Sequence, residues 1–265
     1  MRRLSKVLRL AGSLLILATA IFGQSVTMSL TDAGNNILGG VYTSPYYATI
    51  GSSTNVPVIC DDFVTESYLN APFQADVTTF AQLVSGTNPL ETPKWCTSGT
   101  SVVECSAAAK TPDLQGYATA AVLAAELMTM PNRTGTNATI AAEYSYALWD
   151  VFDPGLISLS GTTGVTTDKY NTDGTLTSDD IKAALNYLAL AEAVAAGKTD
   201  LTQITINGRP IESLTIYTPS PIDATQEFLS VRMSEPSYPS VLVLDLFAVV
   251  GLLVFFRKRR SGMIS

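Results

Sequence analysis

The chain has 265 residues, 46% of them apolar and 15% charged, a balance that supplies a packed core and excludes bulk disorder. It contains no histidine, which excludes Ser-His-Asp and Cys-His nucleophilic catalysis and His-ligated zinc or haem, while carboxylate- or Lys-based enzymes survive that exclusion. Eight of the 16 Lys and Arg sit at the two ends, so residues 24–256 hold the other eight against all 23 acids, a net charge of −15 that repels nucleic acid and anionic lipid headgroups.

The N-terminus has the three parts of a secretory signal. Arg2, Arg3, Lys6 and Arg9 precede an apolar run from Leu10 to Phe22, and small residues follow at Ala18-Thr19-Ala20 and at Gly23. The run is short for a bilayer span. The expectation is a signal peptide over residues 1–23, handled by the general secretory route and removed by signal peptidase after residue 20 or 23. A retained N-terminal anchor is the alternative.

The predicted ectodomain covers residues 24–233. Val26 to Leu30, Gly40 to Ile50 and Val56 to Cys60 are rich in β-branched and aromatic residues and read as strands. Asn35-Asn36 and Gly51-Ser52-Ser53 supply turns, and Gly39-Gly40 is turn glycine rather than a nucleotide motif. Phe73 to Leu83 reads as a strand, or a strand entering a helix. Residues 85–112 are rich in Ser, Thr, Pro and Lys and read as a surface loop, an insertion outside the core.

Three helices are predicted next. Tyr117, Ala121, Ala124 and Met128 form the apolar stripe of the first, with Asp113 as its cap. Ile140, Tyr144, Ala147, Leu148 and Val151 form that of the second, between Asn137 as cap and Pro154 as stop. Ile181, Leu185, Leu188 and Ala195 form that of the third, which ends at Gly197. Strands return at Gln203 to Ile206, Leu214 to Tyr217 and Glu227 to Met233. The order predicts an α+β fold: a single, mainly β ectodomain with about three helices, flanked by the signal peptide and a C-terminal transmembrane helix.

The tail reads Ser234-Glu235-Pro236, then a mostly apolar segment over residues 240–256, then Arg257-Lys258-Arg259-Arg260. At about 1.5 Å per residue such a segment just spans a bilayer. The four bases stop translocation and keep residues 257–265 cytoplasmic. Asp245, in the outer part of the span, reaches towards the headgroups. Glu-Pro motif, apolar helix and Arg-rich end, in that order at residues 234–260, resemble the PEP-CTERM tail processed by exosortases. Ser234 stands where that family has its first proline. The resemblance implies a polysaccharide-producing bacterium, cleavage near the Glu-Pro motif, and passage from a single-span inner-membrane form to the cell surface or extracellular space.

Among the three cysteines, export favours oxidation. Cys96 and Cys105 bracket a short, turn-rich segment and are the expected disulfide, leaving Cys60 as a buried thiol. Val58-Ile59-Cys60-Asp61, taken with Ala147-Leu148-Trp149 downstream, is also similar to the thioester domains of bacterial surface adhesins. There a strand Cys joins the Gln of a Gln-x-Ala-Ile-Trp motif. Here the Gln position holds Ser145, which has no side-chain carbonyl, so the resemblance implies a shared scaffold over residues 55–152 without the reactive bond.

Residues 169–180 partly fit a calcium loop, with Asn171, Asp173, Gly174, Leu176 and Asp180 in register, but Lys169 occupies the first, acidic place. A solvated turn capping the third helix is the expectation. No cofactor, metal site or catalytic residue is expected. The leading functional expectation is a non-catalytic surface or matrix protein of exopolysaccharide or biofilm, whose partners are an exosortase-type enzyme, the membrane and extracellular polysaccharide. The alternative is a glycan- or surface-binding adhesin module, with Tyr42, Tyr46 and Tyr47 as a sugar-stacking platform. The second alternative is a hydrolase using Asp61 and Asp62. A deep cleft flanked by two carboxylates favours hydrolysis; an aromatic surface favours binding.

Overall fold

A computed structural model describes residues 24–43, 45–63, 65–86, 93–98, 101–102, 112–130, 135–153, 157, 159–160, 164–165 and 174–235. The predicted signal peptide, the 240–256 span and the basic tetrad Arg257, Lys258, Arg259 and Arg260 lie outside these residues, as do Pro236 and Cys105. Among the described residues no helix is long and apolar enough to cross a membrane.

In chain order the strands of the first part are β1 (Gln24–Asp32), β2 (Ile37–Leu38), β3 (Val41–Tyr42), β4 (Tyr46–Ile50), β5 (Ser53–Cys60) and β6 (Phe73–Thr79). They lead into the short helix α1 (Phe80–Ser85), a 3-10 turn at Lys94–Cys96 and a two-residue ribbon of β7 (Thr97–Ser98) and β8 (Ser101–Val102). Helices α2 (Pro112–Thr129) and α3 (Thr136–Phe152) come next, then the ribbon of β9 (Leu159–Ser160) and β10 (Gly164–Val165) and helix α4 (Ser178–Ala195). The chain returns through β11 (Thr205–Ile206), β12 (Arg209–Ser220) and β13 (Phe228–Met233).

Seven strands form one antiparallel sheet in the order β11-β12-β13-β5-β4-β1-β6, and β12 also pairs with β6. That pairing, Thr215 against Thr79 through Ser220 against Gln74, closes six strands into a barrel and removes two edges that would otherwise be open for association. Period-two alternation then sorts the side chains. Met28, Leu30, Tyr46, Ala48, Val58, Cys60, Ala75 and Phe228 form one buried cluster drawn from five strands. Their neighbours Ile59, Ile216 and Leu229 turn the other way, into a larger cluster with the helices.

Helix α2 is buried nearly all round, because sheet, α3 and α4 each cover part of it. Tyr117, Ala118, Ala120, Ala121, Val122, Leu123, Ala124, Ala125 and Leu127 are all buried, well beyond the single stripe expected. Its alanines and Gly116 permit that approach: a Cβ on Gly116 would stand 3.2 Å from the Phe152 ring. The caps follow local chemistry. Thr79 with Gln82 and Thr177 with Asp180 each form a capping box, and Gly86, at φ 65°, ends α1. Asp113 and Asn137, expected as caps, lie inside the first turns of α2 and α3, which begin one residue earlier, at Pro112 and Thr136.

The predicted α+β, mainly β architecture is present, with α1 as a fourth, short helix. The Gly40 to Ile50 strand is divided, because a hairpin turn at Gly39-Gly40 (φ 66° and 80°) makes Leu38 and Val41 partners before β4 begins. Residues 93–95, expected in a surface loop, are a correction: Pro93 is buried, Lys94 and Trp95 are half-buried, and the Trp95 ring stacks on Phe152 at 5.4 Å.

Candidate functional site

A cleft of about 460 Å³ opens beside the end of the barrel, between the β2–β3 hairpin and Phe63 with the segment 65–69. Its lining includes Tyr42, Tyr46, Phe63, Tyr68 and Trp149, with Thr65, Glu66, Ser67 and Gln226 as polar groups. The volume falls in the ~300–1,000 Å³ range of small-molecule sites. Two of the aromatic rings stand in solvent, Tyr42 at 53% and Tyr68 at 68% exposure, while Trp149 at 2% forms the floor.

Each wall is fixed from behind. On the hairpin side, the Tyr46 hydroxyl donates to the Tyr42 carbonyl at 2.7 Å and the Tyr146 hydroxyl to the Leu38 carbonyl at 2.9 Å. Gly39 N–H donates to Thr175 Oγ1 at 2.8 Å. On the other side, the Lys94 ammonium donates to Asp62 Oδ2 and to Thr65 Oγ1, both at 2.6 Å. Gln226 Nε2 donates to the Asp62 carbonyl at 2.7 Å, and Gln226 N–H to Ser67 Oγ at 3.1 Å. The floor joins the walls: the Phe63 ring lies 4.6 Å from Trp149, and Trp149 Nε1 donates to the Cys60 carbonyl at 3.0 Å.

Behind the Lys94 segment lies a buried acid cluster. Glu227 is fully buried, and its carboxylate accepts from the Tyr117 hydroxyl (2.5 Å), Thr218 Oγ1 (2.5 Å) and Lys94 N–H (2.8 Å). Both oxygens of Asp61 are buried without a donor. Burial first, and then the charges of Glu227 and Asp62, push the Asp61 carboxyl well above the usual carboxylate range. Two carboxyl groups in contact bond only when one keeps its proton. Burial raises the Glu227 carboxyl too, against the lowering bonds from Lys94 N–H, Thr218 and Tyr117, and Asp61, which has no donor, is pushed up further; the shared proton is therefore assigned to Asp61.

This geometry settles where the expected site residues lie. Asp61 and Asp62 do not line the cleft; the first faces Glu227 and the second pairs with Lys94. Tyr42 and Tyr46 do line it, and Tyr47 does not. Burial, then the charges of Asp62 and Asp61, push the Cys60 thiol up, and its sulfur donates to the Asp62 carbonyl at 3.0 Å. Ser145 is buried one turn before Trp149 and donates to the Ala141 carbonyl at 3.1 Å. The strand and helix singled out for Cys60 and Trp149 are therefore brought together.

Cys96 ends the 3-10 turn, and its expected bridge to Cys105 falls outside the described residues. In the calcium-like segment, Asp180 serves the Thr177 capping box; Lys169, Asn171 and Asp173 fall outside. No group of three Cys, Asp or Glu suited to a metal occurs among the described residues. Ser234 is held to the sheet, its N–H donating to the Pro210 carbonyl at 3.0 Å and its carbonyl accepting from Arg209 Nε at 2.7 Å, whereas Glu235 is exposed.

Phe63, Glu66, Tyr68, Gln226, Lys94 and Glu227 were not singled out by sequence. The Trp beside Lys94 and the apolar strand that Glu227 leads are the signals that could have found the last two.

No family model and no curated protein matches the chain. Weak similarity exists to two solved structures. One is the N-terminal thioester domain of the fibronectin-binding protein SfbI from Streptococcus pyogenes, at 11% identity and TM-score 0.37 over 83% of this chain and 97% of that one. The other is the N-terminal domain of the Streptococcus pyogenes pilus tip adhesin Cpa, at 11% identity and TM-score 0.39 over 82% and 97%.

Proposed function

We propose that this chain is an exported surface protein, sorted through its C-terminal tail, whose ectodomain is a non-catalytic glycan-binding module. The observation that carries the binding reading is the cleft, in which exposed aromatic faces at Tyr42 and Tyr68 stand beside hydroxyl, amide and carboxylate groups. A sugar ring presents an apolar C–H face and a hydroxyl edge, and this pairing of surfaces suits both. The carboxylates favoured for hydrolysis are turned inward, Asp61 and Asp62 being 1% and 0% exposed, so the cleft is not flanked by a pair of them.

The export and sorting parts rest on the sequence of the two ends. A signal peptidase removes residues 1–23, a single-span intermediate keeps Arg257 to Arg260 cytoplasmic, and an exosortase-type enzyme acts near Glu235-Pro236. Glu235 is exposed immediately after the residue that the sheet holds, which suits access at that point.

The test is co-sedimentation of the full-length protein with insoluble polysaccharides, including matrix from the producing cell. Wild type is expected in the pellet, and the double variant Tyr42→Ala, Tyr68→Ala is expected to bind at least about tenfold more weakly, a loss of roughly 1.4 kcal/mol. Equal binding by both proteins removes the cleft from the account.

A further inference from the structure

We propose that the cleft selects amino sugars carrying a free ammonium group, with Glu66 as the residue that reads the charge; this rests on the glycan-binding reading above. Glu66 is the one charged side chain among the described lining residues, and it is exposed. The Tyr68 hydroxyl donates to Glu66 Oε2 at 2.6 Å, which orients the carboxylate alongside an exposed aromatic ring. A cation entering here meets a carboxylate and the rings of Tyr42 and Tyr68, and the face of such a ring attracts positive charge.

The ammonium that could favour an anionic ligand is already engaged. Lys94 lies behind Thr65, is 13% exposed, and pairs with Asp62 at 2.6 Å and Asp223 at 3.7 Å. The surrounding field has the same sign as Glu66, since residues 24–256 carry eight bases against 23 acids. A uronic-acid or sulfated polymer is therefore repelled as it approaches. The cleft volume of about 460 Å³ exceeds what one alkylammonium group fills. Thr65, Ser67 and Gln226 add hydroxyl and amide groups of the kind that sugar hydroxyls meet. Both features favour a sugar ring over a lysine side chain.

Calorimetric titration of the full-length protein with three soluble oligomers tests this: glucosamine, N-acetylglucosamine and galacturonate hexamers. The glucosamine oligomer is expected to bind about fivefold or more tightly than its acetylated counterpart, the size of an exposed charge pair, and the galacturonate oligomer not at all. Glu66→Gln is expected to remove the preference, so that the variant binds the glucosamine and the acetylated oligomers equally. Equal affinity for the first two, or no effect of Glu66→Gln, overturns charge selection while leaving glycan binding in place. No binding of either the glucosamine or the acetylated oligomer overturns the glycan reading itself. Oligolysine bound as tightly, and with the same dependence on Glu66, overturns the assignment to a sugar.

Discussion

The indole Nε1 of Trp149 donates to the main-chain carbonyl of Cys60 at 3.0 Å, tying the last turn of α3 to the end of β5. Both residues are buried, and the same indole forms the floor of the cleft. Replacing it by phenylalanine keeps a ring but removes this donor from the buried carbonyl. Trp149→Phe is expected to lower stability by about 1–3 kcal/mol. Urea unfolding measures this; an unchanged midpoint shows that the carbonyl finds another donor.

Lys94→Met leaves the Asp62 carboxylate buried beside an apolar side chain. Breaking a buried pair from one side costs about 3–5 kcal/mol. Because Lys94 also holds Thr65, the variant is expected to lose glycan binding even at temperatures where it stays folded. The double variant Lys94→Met, Asp62→Asn is expected to recover much of the stability but not the binding. Thermal unfolding and co-sedimentation, run in parallel, separate the two effects.

Asp61 gives the protein a particular pH dependence. Its carboxyl is held well above the usual range by burial first, and then by Glu227. The folded state therefore binds this proton more tightly than the unfolded chain does. That stability is fully present below the unfolded value near pH 4 and is lost as pH rises towards the folded value. Asp61→Asn cannot ionise, and its amide offers a donor beside Glu227. It is expected to be more stable than wild type at pH 8, by on the order of 1 kcal/mol or more, with no such gain at pH 3. A constant difference across that range contradicts the assignment of the proton to Asp61.

Glu143 follows the same sign. Burial against α4, and then the charge of Asp180, raise it from 4.5 to about 7, against a lowering hydrogen bond from Tyr187. The stability tied to its proton is present below pH 4.5 and lost on rising through pH 7. Glu143→Gln is expected to flatten the unfolding midpoint between pH 5 and 8. A midpoint profile that keeps its wild-type slope counts against this role.

Much of the frame was legible in the sequence, because it depends on local signals. Runs rich in β-branched and aromatic residues marked β1 and β5, and the Gly39-Gly40 pair marked a turn. What escaped depends on contacts distant in the chain. Closure of the barrel by β12 on β6 joins residues more than 130 apart, and no local pattern encodes it. Lys94 reads as solvated in its Ser/Thr-rich surroundings until the fold places Asp62 and Glu227 beside it. Tyr42 and Tyr46 could be named as aromatic candidates, but Tyr68 and Glu66 join them only through the path of the 65–69 segment.

The tail is tested by truncation. Ser234 bonds to the β12 strand at Pro210, so a chain ending after Glu235 keeps every described contact. It is expected to be released as a folded, soluble ectodomain, whereas ending it before Ser234 removes the Arg209 contact and lowers the unfolding midpoint. Neutralising Arg257, Lys258, Arg259 and Arg260 is expected to abolish retention in the membrane, assayed by fractionation. An aggregated product from the Glu235 truncation places the apolar segment inside the fold.

The central claim, that a glycan occupies this cleft, is tested most directly by the fluorescence of Trp149. The sequence has two tryptophans, so Trp95→Phe leaves Trp149 as the single reporter and keeps a ring against Phe152. Titrating this variant with a soluble glucosamine oligomer is expected to give a saturable change in emission that disappears on adding Tyr42→Ala and Tyr68→Ala. Binding detected by calorimetry with no change in Trp149 emission contradicts the account, since the sugar then sits elsewhere on the surface.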